Sequence, residues 1–291
     1  MPTIKIGNKL VGPSQPCVLV GEIGINHNGD IKIAKKLIDE TVAAGWDAVK
    51  FQKRTVNVVY TQEELARPRE NPFGSTNGDL KRGLEFGQEE YDEIDRYCQE
   101  RNMLWFASPW DEQSVDFLEQ YNPPCYKIAS ACNMDKDLML YTKSKGRPII
   151  VSVGMANDEI INKIVKLLGE ENLIILHCTS TYPANPAELH LANIPRLIRE
   201  YSKAIIGYSG HEVGAYPSLA AAALGACIVE RHITLDRAMW GSDQSASLEI
   251  VGLHKLASEI KDLPVFLGKN IKEVLESEKA VEKKLRRKKT L

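Results

Sequence analysis

Eight short apolar runs, separated by amphipathic segments, constrain the fold more than any other feature of this sequence. The runs are rich in β-branched residues and occupy positions 17–23, 48–52, 103–108, 125–129, 148–153, 173–178, 204–208 and 226–230. Their near-continuous apolar character is typical of strands buried on both faces, as in a parallel sheet. The segments between and after them have helical spacing and occupy positions 31–44, 88–101, 111–121, 135–145, 157–168, 188–201, 214–224 and 253–267. Eight alternations within about 250 residues predict an α/β protein built as one (β/α)8 TIM barrel.

Residues at the ends of the amphipathic segments support this prediction. Asp111, Asp135 and Asn157 stand where helix N-caps are expected. Four glycines stand where helices are expected to stop, and these are Gly45, Gly146, Gly169 and Gly225. A doubly wound open sheet is the alternative fold, but it normally carries a Gly-x-Gly-x-x-Gly fingerprint after its first strand. Residues 22–29 lack that pattern.

Two segments go beyond a minimal barrel. Residues 53–87 form a long connection that contains several Pro and Gly residues. We predict that it is a functional loop over the site, with a short helix at 62–66. Residues 3–11 are predicted to form a hairpin that closes the bottom of the barrel. We therefore expect a catalytic barrel with this hairpin at 1–270, followed by a basic, solvated tail or linker remnant at 271–291.

The composition excludes several classes of function. The net charge of -2 gives no reason to expect a nucleic-acid partner. No stretch approaches the ~20 apolar residues of a membrane span, and the N-terminus lacks the apolar region of a signal peptide. None of the six cysteines belongs to a Cys-x-x-Cys pair, so we interpret them as reduced core residues. Together these features predict a cytoplasmic protein.

Polar residues follow almost every apolar run, where a barrel places its catalytic side chains. They are Glu22, Asn26, His27, Lys50, Gln52, Ser108, Lys127, Ser130, Ser152, His177, Thr179, Tyr182, Ser209, His211, Glu230, Arg231 and His232. Any one of them could be a solvated strand end. Because all strands of a barrel end at the same rim, the set as a whole predicts a polar pocket there.

The lysines of this set indicate an anionic ligand. Lys50 and Lys127 alternate with apolar neighbours and should point into the barrel. A buried lysine without a partner is costly, and a bound phosphate or carboxylate would offset that cost. Five further side chains are predicted to help hold a small dianion, namely Arg231, Ser108, Ser130, Ser152 and Ser209. Internal ion pairing with Glu22 and Glu230 is the alternative.

Two histidines indicate a metal ion. His211 follows the seventh run and His232 follows the eighth, so the two should lie on neighbouring strands. Two imidazoles with water or a carboxylate suit Mn²⁺, Fe²⁺, Zn²⁺ or Co²⁺. The pair lacks the close spacing of a His-Glu-x-x-His motif, so a structural role for either histidine stays open.

Nine sequence motifs follow one another along the chain. They are GEIGINHNGD (21–30), VKFQK (49–53), YKIAS (126–130), VSVGM (151–155), HCTSTYP (177–183), IGYSGH (206–211), ERHIT (230–234), GSD (241–243) and SASL (245–248). As a set they resemble the sialic acid synthase family, whose members make N-acetylneuraminate and related nonulosonates. The resemblance covers residues 4–270.

This resemblance implies a transferase that joins phosphoenolpyruvate to an aldose, N-acetylmannosamine or a related hexose. The product is a 2-keto-3-deoxy sugar acid, and phosphate is released. A divalent metal, Mn²⁺ or Mg²⁺, and a homodimer are also implied. By matching positions, phosphoenolpyruvate would be held by Lys50, Ser108, Lys127, Ser130, Ser152, Thr179, Ser180 and Ser209. The metal would be held by His211 and His232. The catalytic sugar and water sites would use Glu22, Gln52, Tyr182, Glu230 and Asp243, with Glu22 or Asp243 in proton transfer.

The chain departs from the family pattern in three ways. Cys132 stands where relatives commonly have Glu or Asp, and Gln244 stands where they often have His. The family usually carries a C-terminal antifreeze-like domain that supplies an arginine to the sugar, and these 291 residues do not include one. The resemblance therefore leaves the identity of the aldose open.

Three alternative functions stay open. The first is a related phosphoenolpyruvate-condensing barrel of the deoxy-octulosonate phosphate or deoxy-heptulosonate phosphate type. Such enzymes need an arginine-rich site for the sugar phosphate, and the 53–87 segment offers Arg54, Arg67, Arg69 and Arg82. The second is a metallohydrolase barrel, which would need a His-x-His pair on its first strand that residues 22–24 do not provide. The third is a non-catalytic sugar-binding barrel.

Overall fold

A sheet of eight parallel strands forms the centre of the computed structural model, which describes residues 2–288. The strands of the chain are β1 (Ile4–Ile6), β2 (Lys9–Val11), β3 (Val18–Gly24), β4 (Ala48–Lys53), β5 (Pro68–Asn71), β6 (Gly74–Thr76), β7 (Leu104–Pro109), β8 (Tyr126–Ile128), β9 (Ile149–Ser152), β10 (Leu173–Cys178), β11 (Ile205–Gly210) and β12 (Ile228–His232). Hydrogen bonds order the central sheet as β7-β4-β3-β12-β11-β10-β9-β8, and β7 and β8 pack against each other. The sheet therefore nearly closes on itself, and the prediction of a (β/α)8 barrel is confirmed.

Helices follow the barrel strands. They are α1 (Ile31–Ala43), α2 (Val56–Val59), α3 (Gln62–Ala66), α4 (Asn77–Gly83), α5 (Gln88–Glu100), α6 (Glu112–Glu119), α7 (Lys136–Ser144), α8 (Asp158–Leu168), α9 (Asn193–Glu200), α10 (Tyr216–Ala223), α11 (Ile250–Leu267) and α12 (Glu276–Leu285). The side chains of Asp111, Asp135 and Asn157 accept backbone N–H groups of the first turns, as predicted. The four predicted stop glycines all have positive φ.

The apolar core has two parts, one outside the sheet and one inside it. The outer part packs the helices against the sheet. The inner part joins residues near the start of the barrel strands, such as Val18 and Ile228, to Ile4, Ile6 and Val11 of the β1–β2 hairpin. The predicted hairpin therefore closes the bottom of the barrel, which leaves the carboxyl ends of the strands for the site.

The 53–87 segment is folded rather than irregular. It contains α2, α3, the antiparallel β5–β6 hairpin and α4, and the predicted short helix at 62–66 is confirmed. Thr61 with Glu64, and Thr76 with Asp79, form capping boxes at the starts of α3 and α4. Phe73 of this segment packs edge-on against Trp240 of the loop after β12, with ring centroids 6.4 Å apart. The segment therefore covers one side of the barrel mouth.

Beyond the barrel, α12 contributes no buried residue. Residues 268–275 are also exposed, in agreement with a solvated segment after about residue 270. Residues 289–291, at the end of the predicted basic tail, lie outside the described residues. All six cysteines are free thiols. Among residues 2–288, no helix has the length and apolar character needed to cross a bilayer.

Candidate active site

The carboxyl ends of the barrel strands surround a cavity of about 290 Å³. The predicted site residues that line it are Glu22, Lys50, Gln52, Lys127, Ser130, Ser152, Ser180, Tyr182, Ser209, His211, Glu230, His232 and Asp243. Of the residues that the family resemblance assigned to substrates, metal or catalysis, two do not line the cavity. Ser108 is buried behind the cavity and accepts a hydrogen bond from Lys50 Nζ (3.1 Å), and Thr179 Oγ1 donates to the Glu188 carbonyl (3.1 Å). The structure thus brings most of the predicted set together, while the role of each residue stays a prediction.

Glu22 is held at the cavity by an irregularity in β3. The register between β3 and β4 shifts between Glu22 and Gly24. Gly24 has φ +53, and a Cβ there would come within 3.0 Å of Glu22 Oε1 and 3.1 Å of Gln52 Nε2. Gln52 Nε2 donates to Glu22 Oε1 over 2.6 Å. A glycine therefore suits this position, because other residues are strained at this positive φ and an added Cβ would crowd both side chains.

The inward lysines are paired with carboxylates. This is the ion pairing that the sequence left open as the alternative to a bound dianion. Lys50 Nζ lies 2.8 Å from Glu22 Oε2 and 3.6 Å from Glu230 Oε1, and Lys127 Nζ lies 3.8 Å from Glu230 Oε1. Only Lys50 has a close partner. Ser152 Oγ and Glu230 Oε2 are buried here without any hydrogen-bond partner. The cluster is thus balanced in charge but incompletely hydrogen-bonded, which leaves donors for a ligand.

Burial and mutual attraction shift the pKa values of this cluster in different directions. Burial raises the pKa of Glu22 despite the nearby Lys50. Burial opposes the charges of Lys50 and Glu230, but the opposite charges around them outweigh it, so the pKa of Lys50 rises and that of Glu230 falls. Burial lowers the pKa of Lys127, which has no close carboxylate. The surroundings thus favour the charged forms of Lys50 and Glu230, and Lys127 gains most from an added anion.

Arg231 does not contribute to the anion site, and the prediction that it does is wrong. Its neighbours Glu230 and His232 line the cavity, so alternation along β12 turns Arg231 to the outer face of the barrel. There its guanidinium is completely buried and donates to Glu212 Oε1 (2.9 Å), the Gly214 carbonyl (2.7 Å) and Ser218 Oγ (2.8 Å). Arg231 and Glu212 therefore form a structural ion pair behind the site.

The two imidazoles lie side by side, as predicted from their strands. The ring centroids of His211 and His232 are 5.4 Å apart, and the Tyr182 ring stacks on His211 at 4.1 Å. His211 Nδ1 donates to the Thr179 carbonyl (2.7 Å), which leaves its Nε2 available. His232 Nδ1 is buried without a hydrogen-bond partner, 3.8 Å from Asp243 Oδ2. Burial lowers the pKa of His232 to about 3, so this ring is neutral at pH 7.

A divalent cation fits this donor set. Neutral imidazoles are the form that binds metals, and His232 Nδ1 is buried without a hydrogen-bond partner. Within residues 2–288, no three His, Cys, Asp or Glu side chains are grouped as a ready metal site. His211 and His232 would therefore have to be completed by water or substrate, as in an open catalytic site.

Sequence reasoning missed several residues of the cavity wall. These are Ile25, Tyr60, Lys81, Trp110, Ala131, Met155, Cys178 and Ser242. Of the four loop arginines, Arg54 lines the cavity, and Arg67, Arg69 and Arg82 do not. The alternation of apolar runs gave no signal for Tyr60 and Lys81, because both lie in the 53–87 segment away from any barrel strand.

The two substituted family positions lie away from the cavity. Cys132 packs in the outer core, burial raises its pKa to about 11, and its neighbour Ala131 lines the cavity instead. Gln244 is fully buried, accepts a hydrogen bond from Thr234 and donates to the Asn26 carbonyl (3.2 Å). In this chain both residues have structural contacts.

The chain is similar to known proteins in both sequence and fold. Residues 37–272 match the NeuB family. The human N-acetylneuraminate-9-phosphate synthase is 38% identical over 94% of this chain and 78% of its own length. The N,N'-diacetyllegionaminic acid synthase of Campylobacter jejuni is 34% identical over 90% of this chain and 80% of its own length. A crystal structure of N-acetylneuraminic acid synthetase from Leptospira borgpetersenii, in complex with citrate, superposes with a TM-score of 0.85 at 31% identity and covers 98% of both chains.

Proposed function

The chain belongs to the NeuB family, and from this we propose that it condenses phosphoenolpyruvate with N-acetylmannosamine or a related hexose. The product is a sialic-acid-like 2-keto-3-deoxy sugar acid, and phosphate is released. One observation carries the proposal beyond the family. A single cavity combines an incompletely paired lysine, the unpartnered Ser152 hydroxyl and two adjacent imidazoles. The related proteins bear names with and without a phosphate on the product, so they leave that feature of the acceptor open.

Phosphoenolpyruvate is assigned to the inner part of the cavity. Lys127 has its only carboxylate partner, among residues 2–288, at 3.8 Å, so an anionic oxygen can approach it more closely than Glu230 does. Ser130, Ser152 and Ser209 line the same wall, and Ser152 Oγ lacks a partner. These groups hold the donor in a fixed orientation, which is a large part of the rate advantage in a two-substrate reaction.

The aldehyde is assigned to the side of the cavity that carries the imidazoles. When bound there, a divalent cation such as Mn²⁺ or Mg²⁺ supplies Lewis-acid polarisation of the aldehyde oxygen. His211 Nε2 and His232 Nδ1 are the atoms available to hold it. Tyr182 packs over His211 on that side of the cavity.

The chemistry requires two additions and one departure. C3 of phosphoenolpyruvate forms a bond to the aldehyde carbon, the aldehyde oxygen takes a proton, and water adds to C2. The bond between C2 and the phosphate ester oxygen then breaks, the phosphate leaves with that oxygen, and the C2 hydroxyl passes its proton to the phosphate and becomes the keto group. Glu22 is the candidate proton donor to the aldehyde oxygen, because burial raises the pKa of its carboxyl. Asp243, beside His232, is the candidate for accepting a proton from the water.

The test is consumption of phosphoenolpyruvate by the purified chain, with aldoses present or omitted and with Mn²⁺, Mg²⁺ or a chelator. We expect turnover only when an aldose and a divalent cation are both present. We also expect that His232→Ala abolishes it with the melting profile largely retained. Absence of turnover with every aldose and cation would reject the synthase function. Full turnover of His232→Ala in chelator would reject the metal assignment alone.

A further inference from the structure

The outer wall of the cavity carries two cations, Arg54 and Lys81. They are separate from the inner cluster, which consists of Glu22, Lys50, Lys127 and Glu230. Arg54 follows β4, and its Cζ lies 4.2 Å from the centre of the Trp110 ring. Lys81 of α4 places its Nζ 4.8 Å from the centre of the Tyr60 ring. All four side chains line the cavity. The outer wall is therefore a pair of cations supported on aromatic rings.

Neither of these outer cations has a close carboxylate of its own. Lys81 forms no ion pair or hydrogen bond with any residue from 2 to 288. Arg54 has only Glu85 at 3.8 Å, and that carboxylate already accepts from Lys53 Nζ at 2.9 Å. Arg54 Nε and Trp110 Nε1 are buried without a hydrogen-bond partner. Unpaired buried donors are costly, so this wall is short of acceptor oxygens.

In the inner cluster, by contrast, the positive and negative charges are equal in number. Its two lysines, Lys50 and Lys127, face two carboxylates, Glu22 and Glu230. Within the proposed function, phosphoenolpyruvate lies against this inner cluster and the aldehyde carbon must face it. The far end of the acceptor then points outward, towards Arg54 and Lys81. In a hexose 6-phosphate, the phosphate is at the opposite end of the chain from the aldehyde.

We propose that Arg54 and Lys81, with the indole N–H of Trp110, form a subsite for a phosphate on the acceptor. The preferred acceptor is then an aldose phosphate, and this inference rests on the proposed synthase function. A phosphate dianion supplies the acceptor oxygens that Arg54 Nε and Trp110 Nε1 lack and neutralises both cations. Arg54 also donates to Gln52, which donates to Glu22 Oε1 (2.6 Å). The subsite is thus linked by hydrogen bonds to the proposed proton donor.

The experiment compares kcat/KM for N-acetylmannosamine and its 6-phosphate, with consumption of phosphoenolpyruvate as the readout. The wild-type chain is expected to prefer the phosphorylated sugar. In Lys81→Gln, the ratio of the two kcat/KM values should fall by at least about tenfold, because one charge-assisted hydrogen bond is lost. The loss should lie in KM for the sugar phosphate, with KM for phosphoenolpyruvate unchanged. Lys81→Arg, which keeps the charge, should restore part of the preference.

Arg82→Gln is the matched control, since Arg82 is the next residue along α4, is exposed and does not line the cavity. It should keep the wild-type ratio. A wild-type chain that uses the unphosphorylated sugar equally well or better would overturn the subsite, as would an unchanged ratio in Lys81→Gln. A raised KM for phosphoenolpyruvate in Lys81→Gln would assign the outer cations to the donor instead. If neither sugar supports consumption, the proposed function itself fails.

Discussion

Lys127 shows how the placement of one side chain supports the proposed donor site. It is buried, and its nearest carboxylate lies 3.8 Å away. Sequence alternation predicted its inward direction correctly, because a residue between two apolar strand neighbours faces the opposite side from them. The same rule, applied to β12, separates Arg231 from Glu230 and His232. The prediction that Arg231 is a third inward cation overlooked this alternation. The structure instead pairs Arg231 with Glu212 on the outer face of the barrel.

We expect Lys127→Ala to raise KM for phosphoenolpyruvate by about 10- to 100-fold, since a charge-assisted hydrogen bond is lost. The apparent affinity for the sugar should change far less. Kinetics with each substrate varied in turn would measure both effects. Lys166→Ala, at an exposed position on α8, is the control and should behave like the wild type. An unchanged KM for phosphoenolpyruvate would contradict the assignment.

His27 provides a second prediction at this scale. The ring stacks on Phe86 with centroids 3.8 Å apart, its Nδ1 accepts from Gly29 N–H (3.0 Å), and burial lowers its pKa to about 3. The folded state thus keeps His27 neutral while the unfolded state takes up a proton below about pH 6.5. This contribution to stability is complete above about pH 6.5 and is lost as the pH falls towards about 3.

Urea unfolding at several pH values measures this effect. His27→Gln should reduce the loss of stability on acidification by about 1 kcal/mol per pH unit. The same substitution at the exposed His254 should leave the pH dependence as it is. Equal slopes for wild type and His27→Gln would show that His27 is protonated in the folded state.

At the scale of elements, β11 and β12 are joined behind the site by a buried network. Arg231 Nη1 donates to Glu212 Oε1, and the Tyr208 hydroxyl donates to Glu212 Oε2 (2.8 Å). Arg231 precedes His232, and Glu212 follows His211. The network therefore fixes the two strand ends that present the imidazoles.

Arg231→Met should cost about 3–5 kcal/mol of unfolding free energy, because it leaves the fully buried Glu212 without its partner. Adding Glu212→Gln should recover part of that loss, since no charge then remains unpaired. Urea titration of the single and double variants measures the coupling. Arg237→Met, which removes an exposed pair with Glu249 (3.4 Å), should cost less than about 1 kcal/mol. Additive losses at Arg231 and Glu212 would contradict the coupling.

The elements themselves were largely predictable. The barrel strands begin and end within a few residues of the apolar runs, because a strand buried on both faces must be apolar along its length. The start of α9 was predicted at residue 188 but lies at Asn193, after a 3-10 turn at Pro186–Glu188. In the 53–87 segment only α3 was predicted. Its other elements are short, and their positions depend on contacts with distant parts of the chain.

At the scale of the whole molecule, the two ends of the barrel differ in composition, because one is apolar and closed and the other carries the polar cavity. The β1–β2 hairpin closes the bottom with apolar side chains, and polar side chains collect at the mouth. The sequence predicted which residues meet at the mouth, because the closed topology determines which ends are adjacent. It did not predict the outer wall, because Tyr60, Lys81 and Trp110 reach the cavity from loops and from a helix outside the sheet.

Removal of residues 271–291 should change Tm by less than about 2 °C and leave turnover intact, because α12 buries nothing against the barrel. Thermal unfolding and the phosphoenolpyruvate assay measure both. A chain that ends after Lys255 is the contrasting variant, since it also loses the buried Leu256 and Ile260 of α11. It should melt at a clearly lower temperature. A large loss of stability from the shorter deletion would show that the fold extends past residue 270.

The position of the 53–87 segment has a consequence for how such enzymes diverge. It leaves the barrel directly after Lys53 and returns at Gly87, the N-cap of α5, so it interrupts no barrel strand. Mutations or insertions in it can alter Arg54, Tyr60 and Lys81 while Lys50 and Lys127 stay in place on β4 and β8. Under the proposed function, evolution can therefore change the sugar acceptor by altering this one segment, while the proposed donor site stays unchanged.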